Sequence, residues 1–169
     1  TPEYLSEERQ NMKGADAAYD FFRYGQLGTR RFNALKIWMA VKHLGVATYA
    51  RLIERQIELT RYLAARLDEL EDFERVGEVE TAVCCARFVP ARFRVDDARA
   101  DGSALDDLQK ALQQSIERSG EAWFSTTVLH GRRALRINVN SFLTRRRHID
   151  DLLELLVREG GRLAGEEKV

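Results

Sequence analysis

The chain is poor in several features that would point to particular classes of protein. It has two prolines, two cysteines and three histidines among 169 residues, and its 27 basic side chains balance 27 acidic ones. A net charge of zero disfavours general attraction to nucleic acid or to an anionic membrane surface. No apolar run approaches the roughly 20 residues that a membrane span needs, and the N-terminus lacks a basic-then-apolar signal pattern. Composition therefore predicts an ordinary globular protein with neither nucleic-acid nor membrane partners.

The two cysteines, Cys84 and Cys85, are neighbours in a segment that is typical of a β-strand. Neighbours on a strand point to opposite faces, so a disulfide between them is not expected. There is no CxxC spacing, and the three histidines are scattered along the chain. We therefore predict no metal site. The interpretation is two small buried thiols in a reducing cytoplasm.

The first part of the chain predicts a loop followed by helices. Residues 1–28 are rich in glycine and aromatic side chains. Thr29 is a plausible N-cap for a helix that runs to about Leu44, and Gly45 is a natural stop. A second amphipathic helix is predicted over about residues 47–70. Two helices joined at one glycine indicate a connector rather than a globular core.

The remainder of the chain predicts a small α+β domain. Two short strands end at Pro90, and residues 92–102 are expected to form a polar loop. Ser103 would cap the next helix, His130 and Gly131 would form a hairpin turn, and the last helix would cover about residues 144–160. The order β-β-α-β-β-α favours helices that cover one face of a mostly antiparallel sheet.

The last predicted strand carries an unusual polar face. Leu135, Ile137 and Val139 alternate with Arg136, Asn138 and Asn140. One set is expected to enter the core, and the other set presents an arginine and two amides. This polar face is either an exposed side of the sheet or a carboxylate site, because a guanidinium group offers a planar bidentate fork. Arg30 and Arg31 have the same two interpretations. The basic run Arg145 to Arg147 fits a solvated helix start better than a nucleic-acid patch, because no aromatic platform accompanies it.

Several of these segments together resemble a known family. The segments "TRRFNALKIWMAVKHLG", "VCCARFVP" and "FSTTVLHGRRALRINVNSFLT" are followed by a closing amphipathic helix. In this order they resemble the C-terminal part of pyridoxal-phosphate-dependent group II amino-acid decarboxylases, over essentially the whole chain. The resemblance implies an α+β C-terminal part of a fold-type-I enzyme whose overall fold is α/β. It divides the chain into a mobile catalytic loop and the end of the large domain at 1–28, connecting helices at 29–71 and a C-terminal domain at 72–169.

The resemblance also implies roles for individual residues. "TPEYL" matches the end of a mobile loop whose tyrosine protonates the carbon that has lost carbon dioxide, which assigns that role to Tyr4. The arginine of the family's Leu-Arg strand binds the substrate α-carboxylate, and here it is Arg136. Thr29 and Arg30 would lie near the active-site entrance and the subunit interface. The paired arginines are accordingly expected to bind acidic partners there.

One departure from the family pattern is large. The family's cofactor lysine sits in a His-Lys pair, and this sequence contains no such pair. We therefore expect a C-terminal portion of an enzyme that needs an upstream lysine-bearing half, pyridoxal 5'-phosphate and an amino-acid substrate. The complete enzyme is expected to be a cytoplasmic homodimer. Aromatic, acidic and diamino substrates stay open, as does an oxidative variant of the reaction. The alternative is a non-catalytic α+β binding or regulatory module that shares only the small-domain fold.

Overall fold

A computed structural model of the chain describes residues 31–94 and 102–165. The chain divides into two compact units, residues 1–43 and residues 44–169. The elements are α1 Asn33–Leu44, α2 Val46–Asp68, β1 Phe73–Arg75, β2 Val83–Phe88, α3 Ala91–Arg94, α4 Gly102–Ser119, β3 Ser125–Leu129, β4 Arg132–Asn138 and α5 Arg146–Ala164. Within these residues no helix combines the length and the apolar character of a membrane span.

Helix α1 makes up most of the described part of the first unit. The sequence places its start at Thr29, and this prediction was wrong, because Arg31 and Phe32 precede the helix and Asn33 is its first residue. Thr29 itself lies outside the described residues. No residue of α1 is buried, and the side chain of Trp38 is 59% exposed. Helical periodicity predicts an apolar face on α1 but does not show what covers it.

Helix α2 belongs to the core of the second unit. Gly45 precedes it with a φ of 77°, a conformation that glycine adopts without steric cost and that separates α2 from α1 as predicted. The C-terminal half of α2 buries five residues against the sheet and α5: Leu59, Thr60, Leu63, Ala64 and Leu67. The helix is thus more than a connector. The division of the complete protein at residue 72 stays a prediction.

The sheet has four strands in the order β1-β2-β4-β3, and every neighbouring pair is antiparallel. His130 and Gly131 join β3 to β4 with φ values of 50° and 76°, the two positive values of a tight hairpin turn. Helices α2, α4 and α5 bury one continuous apolar cluster with the sheet. Its fully buried members include Leu63, Leu67, Leu112, Ile116, Leu135 and Leu156. The predicted α+β class and hairpin are confirmed.

The end of α5 differs from the prediction. Gly160 was expected to stop the last helix, but the helix continues through it to Ala164 and ends at Gly165, whose φ is 72°. A Cβ added to Gly160 would lie 2.8 Å from Cζ of Phe88. The glycine therefore permits close approach of α5 to the sheet, and the sequence pattern alone does not distinguish that role from a helix stop.

Other boundaries move by a few residues. The segment predicted as a loop from residue 92 begins inside a helical turn, Ala91–Arg94, which starts directly after Pro90. Helix α4 begins at Gly102, so Ser103 is not its cap. Helix α5 begins at Arg146 with Arg145 as N-cap, rather than at Thr144. Shifts of this size are usual, because helix ends depend on local capping geometry.

Candidate functional site

Strand β4 has the two-sided character that its sequence predicts. Leu135, Ile137 and Val139 are buried in the core, and Asn138 is exposed on the opposite side. Arg136 lies on that opposite side and is half-buried. We call this side the outer face of the sheet, and it includes Cys85 of β2, Arg136 of β4 and Ser125 of β3. The alternation confirms that Arg136 points away from the core.

Arg136 occupies the centre of a row across the sheet. Its Cα partner on β2 is Cys85, and its Cα partner on β3 is Ser125. Within residues 31–94 and 102–165 no hydrogen bond or ion pair joins its side chain to another residue. A half-buried guanidinium group retains its full charge and all five donors. The geometry therefore leaves Arg136 able to bind a carboxylate from outside the described residues.

Other arginines of the second unit contrast with Arg136, because carboxylates already hold them. Arg87 is 3% exposed, and its Nη2 lies 2.9 Å from Oδ1 of Asp106. Arg66 and Arg75 donate in the same way to Asp150 at 2.7 Å and to Asp68 at 3.0 Å. These contacts commit the three guanidinium groups to carboxylates within the fold. Arg136 belongs to the same unit but has no such contact with a described residue. It therefore does not take part in a structural ion pair there.

The cysteine beside Arg136 does not supply a negative charge. Burial raises the pKa of the Cys85 thiol, while the charge of Arg136 acts in the opposite direction. Cys84 points to the core, and burial raises the pKa of its thiol to about 11. Both cysteines are free, but the prediction of two buried thiols holds only for Cys84, because Cys85 on the outer face is partly exposed. Near neutral pH the thiol next to Arg136 is therefore uncharged.

An open cavity of about 520 Å³ adjoins this row. Cys85 and Val83 of β2 form part of its lining, and His130 and Arg132 contribute from the β3–β4 hairpin. The cavity thus brings together a thiol, an imidazole, a guanidinium group and the carboxylates of Glu78 and Glu80, while Arg136 itself is not part of the lining. It offers space and hydrogen-bond donors, but it holds no lysine.

The described residues do not form a site for pyridoxal phosphate by themselves. Covalent attachment of this cofactor requires a lysine in an enclosed pocket that also holds the phosphate. The lysines of the described segments, Lys36, Lys42 and Lys110, are all exposed on helices. Tyr4 and Thr29, the other predicted site residues, lie outside the described residues. Arg136 is therefore the one predicted site residue whose surroundings the structure describes.

Sequence reasoning missed a buried polar cluster at one end of the sheet. The Phe88 backbone N–H donates to Oε1 of Gln109, and Nε2 of Gln109 donates to the Phe88 carbonyl oxygen, both at 2.8 Å. Asp106 accepts a bond from the Arg133 backbone N–H at 2.9 Å in addition to its bond from Arg87. A signal existed, because Gln109 interrupts the apolar stripe of α4 between Leu108 and Leu112. A polar residue there indicates a buried hydrogen bond.

Comparison with known proteins identifies the class. The profile of the pyridoxal-dependent decarboxylase conserved domain matches residues 1–89, more than half of the chain. The chain belongs to this family, whose cofactor is pyridoxal phosphate. The resemblance to this family is confirmed.

Individual relatives match most of this chain, but the matched region is only a part of each relative. An aromatic-L-amino-acid decarboxylase of Bacillus atrophaeus is 26% identical over 161 residues, which are 93% of this chain and 30% of the relative. The crystal structure of mouse CSAD is 28% identical with a TM-score of 0.73, over 89% of this chain and 32% of that chain. A structure of Oryza sativa TDC with pyridoxal phosphate and tryptamine is 27% identical with a TM-score of 0.68, over 79% and 28%. The chain thus spans about a third of the length of these relatives.

Proposed function

We propose that this chain is the C-terminal part of a pyridoxal-phosphate-dependent L-amino-acid decarboxylase and that it acts only together with a lysine-bearing upstream part. Family membership supports the reaction class. The observation that carries the role of this chain is Arg136, a half-buried guanidinium group with no hydrogen-bond or ion-pair partner among the described residues. When bound, the cofactor withdraws electrons from the substrate α-carbon.

Arg136 is proposed to bind and orient the substrate α-carboxylate. A rigid strand holds its backbone, with β2 on one side and β3 on the other. A guanidinium group can donate two parallel N–H bonds to the two oxygens of one carboxylate, which fixes the direction of the bond that breaks. Arg136 would thus contribute to the reaction by orienting the α-carboxylate before carbon dioxide leaves.

Tyr4 is proposed to complete the reaction as the general acid. Its phenolic Oη would deliver a proton to the substrate carbon that has lost carbon dioxide. The basis is the match of "TPEYL" to the end of the family's catalytic loop. Thr29 and the neighbouring arginines are proposed to lie near the entrance of the site and the subunit interface. The complete enzyme is proposed to be a cytoplasmic homodimer.

Reconstitution tests the proposal. The chain alone should bind pyridoxal phosphate poorly and release no carbon dioxide from an amino acid. Together with the lysine-bearing part, it should gain the visible absorbance of bound cofactor and decarboxylate one member of a panel of L-tryptophan, L-tyrosine, L-glutamate and L-2,4-diaminobutyrate. Turnover by the isolated chain would contradict the need for an upstream part. If the reconstituted protein binds cofactor but releases no carbon dioxide, the alternative of a non-catalytic module replaces the proposal.

The variant Tyr4→Phe tests the acid, because it keeps the aromatic ring and removes the transferable proton. In the complete enzyme we expect carbon dioxide release to continue while amine formation falls. Under air, oxygen would then oxidise the unprotonated carbon, and aldehyde, ammonia and peroxide should appear. Carbon dioxide, amine and peroxide are measured together. An unchanged amine yield without peroxide would remove Tyr4 from the mechanism, and an equal loss of every product would indicate failed loop closure.

A further inference from the structure

Along its cross-strand row, Arg136 has short, uncharged neighbours on the outer face. Cys85 and Ser125 are its direct cross-strand partners. Ala134, two residues before Arg136 on the same face, is fully buried. Directly opposed residues of antiparallel strands have Cβ atoms about 4.5–5.5 Å apart, close enough for charged side chains to interact. A side chain at position 85 or position 125 is therefore within reach of the Arg136 guanidinium group.

The same face shows what happens when a carboxylate is within reach. Arg132 lies four residues before Arg136 on β4, and its Nη2 donates to Oε1 of Glu74 on β1 at 3.1 Å. Arg87 of β2 is similarly held by Asp106. These two arginines of the outer face thus have carboxylate partners from the fold, whereas the row through Arg136 offers a thiol and a hydroxyl group. Each carboxylate reaches its arginine from outside a direct cross-strand pair, because Glu74 is paired with Arg87 and Asp106 lies on α4. Arg136 differs from these two arginines because no described carboxylate makes such a contact with it.

We propose that Cys85 and Ser125 are positioning residues of the carboxylate site, which keep the Arg136 guanidinium group uncommitted because neither carries a charge. This inference rests on the proposed role of Arg136. It identifies what the site excludes: an internal carboxylate at either position would bind Arg136 and compete with the carboxylate of the substrate.

The test places a carboxylate at each position in the complete enzyme. Cys85→Asp and Ser125→Asp are compared with Cys85→Asn and Ser125→Asn, which have nearly the same shape and no charge. Competition for a charge-assisted hydrogen bond should raise KM for the decarboxylated amino acid about 10-fold or more in each Asp variant relative to its Asn counterpart, with little change in kcat. The substrate is whichever of L-tryptophan, L-tyrosine, L-glutamate and L-2,4-diaminobutyrate the enzyme decarboxylates fastest.

The amine product provides a readout that a merely structural role would not change. The amine lacks the carboxylate, so its inhibition constant should stay nearly the same in the Asp and Asn variants while KM for the amino acid differs. If Cys85→Asp fails to fold, Ser125→Asp on the edge strand β3 still tests the proposal. Equal KM values for the Asp and Asn variants would overturn the inference. So would a parallel loss of affinity for the amine.

Two further variants separate the possible failures. Val128→Asp adds the same charge to β3 at an exposed position on the other side of the strand, and it should leave KM and kcat unchanged. Arg136→Ala should raise KM by itself. If Arg136→Ala has no effect, the proposed carboxylate role of Arg136 fails, and the positioning inference fails with it. If Arg136→Ala raises KM and both Asp variants behave like their Asn counterparts, only the positioning inference fails.

Discussion

Arg87 and Arg136 lie on adjacent strands of one sheet, but their surroundings differ. Arg87 is 3% exposed and bonded to Asp106, which also accepts the backbone N–H of Arg133. Arg136 is half-buried, and its cross-strand partners are a thiol and a hydroxyl group. The first arginine joins β2 to α4 and stabilises the fold. The second has no hydrogen-bond or ion-pair partner within the described residues, so its charge is available for binding. Burial and the nearest carboxylate, rather than residue type, separate the two roles.

Removal of the structural carboxylate should have the largest effect on stability. Asp106→Ala leaves the buried charge of Arg87 without this partner, and we expect a loss of about 3 kcal/mol in the free energy of unfolding. Urea denaturation followed by circular dichroism measures the loss. The control is Glu121→Ala, which breaks the exposed Arg158–Glu121 ion pair. Solvent screens an exposed pair of this kind, so its loss should change stability little. Equal losses in both variants would contradict the distinction between buried and exposed arginines.

Removal of the proposed binding arginine should change activity instead of stability. In the complete enzyme, Arg136→Ala loses a charge-assisted hydrogen bond worth roughly 1.5–3 kcal/mol, so we expect kcat/KM to fall about 10- to 150-fold. Arg136→Lys should recover only part of this loss, because an ammonium group cannot form the bidentate contact. Steady-state kinetics and urea denaturation are measured on the same preparations. Unchanged kcat/KM would mean that Arg136 is a half-buried residue of the sheet without a role in substrate binding.

A methyl group at Gly160 tests the packing on the core side of the sheet. Gly160→Ala would place Cβ 2.8 Å from the Phe88 ring, so either the ring or α5 must move. Overpacking of this kind costs typically about 1–3 kcal/mol. Gly102→Ala is the control, because Gly102 is also helical and a Cβ there meets nothing within 4 Å. A thermal unfolding series should show a lower Tm for Gly160→Ala alone. Equal Tm values would mean that the Phe88 ring adapts freely.

The pH dependence of stability tests how deeply the Cys84 thiol is buried on the core side of the sheet. The pKa of Cys84 is about 11 in the folded protein and 9.0 without perturbation. A raised folded-state pKa means that the unfolded chain loses the thiol proton first. Stability is therefore fully present below about pH 9 and decreases as pH rises toward 11. The slope attributable to Cys84 is at most about 1.4 kcal/mol per pH unit.

Urea denaturation at several pH values between 8 and 11 measures this dependence in wild type and in Cys84→Ala, which lacks the titrating thiol. The difference between the two curves isolates Cys84 from the lysines and tyrosines that titrate in the same range. Parallel curves would show that the Cys84 thiol is less buried than the fold indicates.

Pattern reasoning predicted the elements well and their ends poorly. The hairpin at His130 and Gly131, the stop at Gly45 and the two faces of β4 follow from local chemistry, because turn geometry and strand alternation involve neighbours in sequence. Gly160 was misassigned because its role depends on Phe88, more than 70 residues away in the chain. The start of α1 was misplaced because a threonine in a suitable position does not guarantee a cap.

In the candidate site, too, local features were predicted and contacts between distant residues were not. Arg136 was identified from strand alternation and from a family resemblance, and the structure describes its surroundings. The pairing of Arg87 with Asp106 and the amide bonds of Gln109 were not predicted. These contacts join residues that are 19 and 21 positions apart, and they form only once α4 packs against the end of β2.

The sequence alone determined the α+β class, the order of the elements, the family and the arginine on the polar side of β4. Each of these depends on periodicity, turn residues or ordered motifs, which are local properties of the chain. Only the tertiary structure decided which arginines have carboxylate partners, that Cys85 and Ser125 flank Arg136, and that Gly160 allows α5 to approach Phe88. Those facts depend on strand register and helix packing, which bring together residues that are distant in sequence.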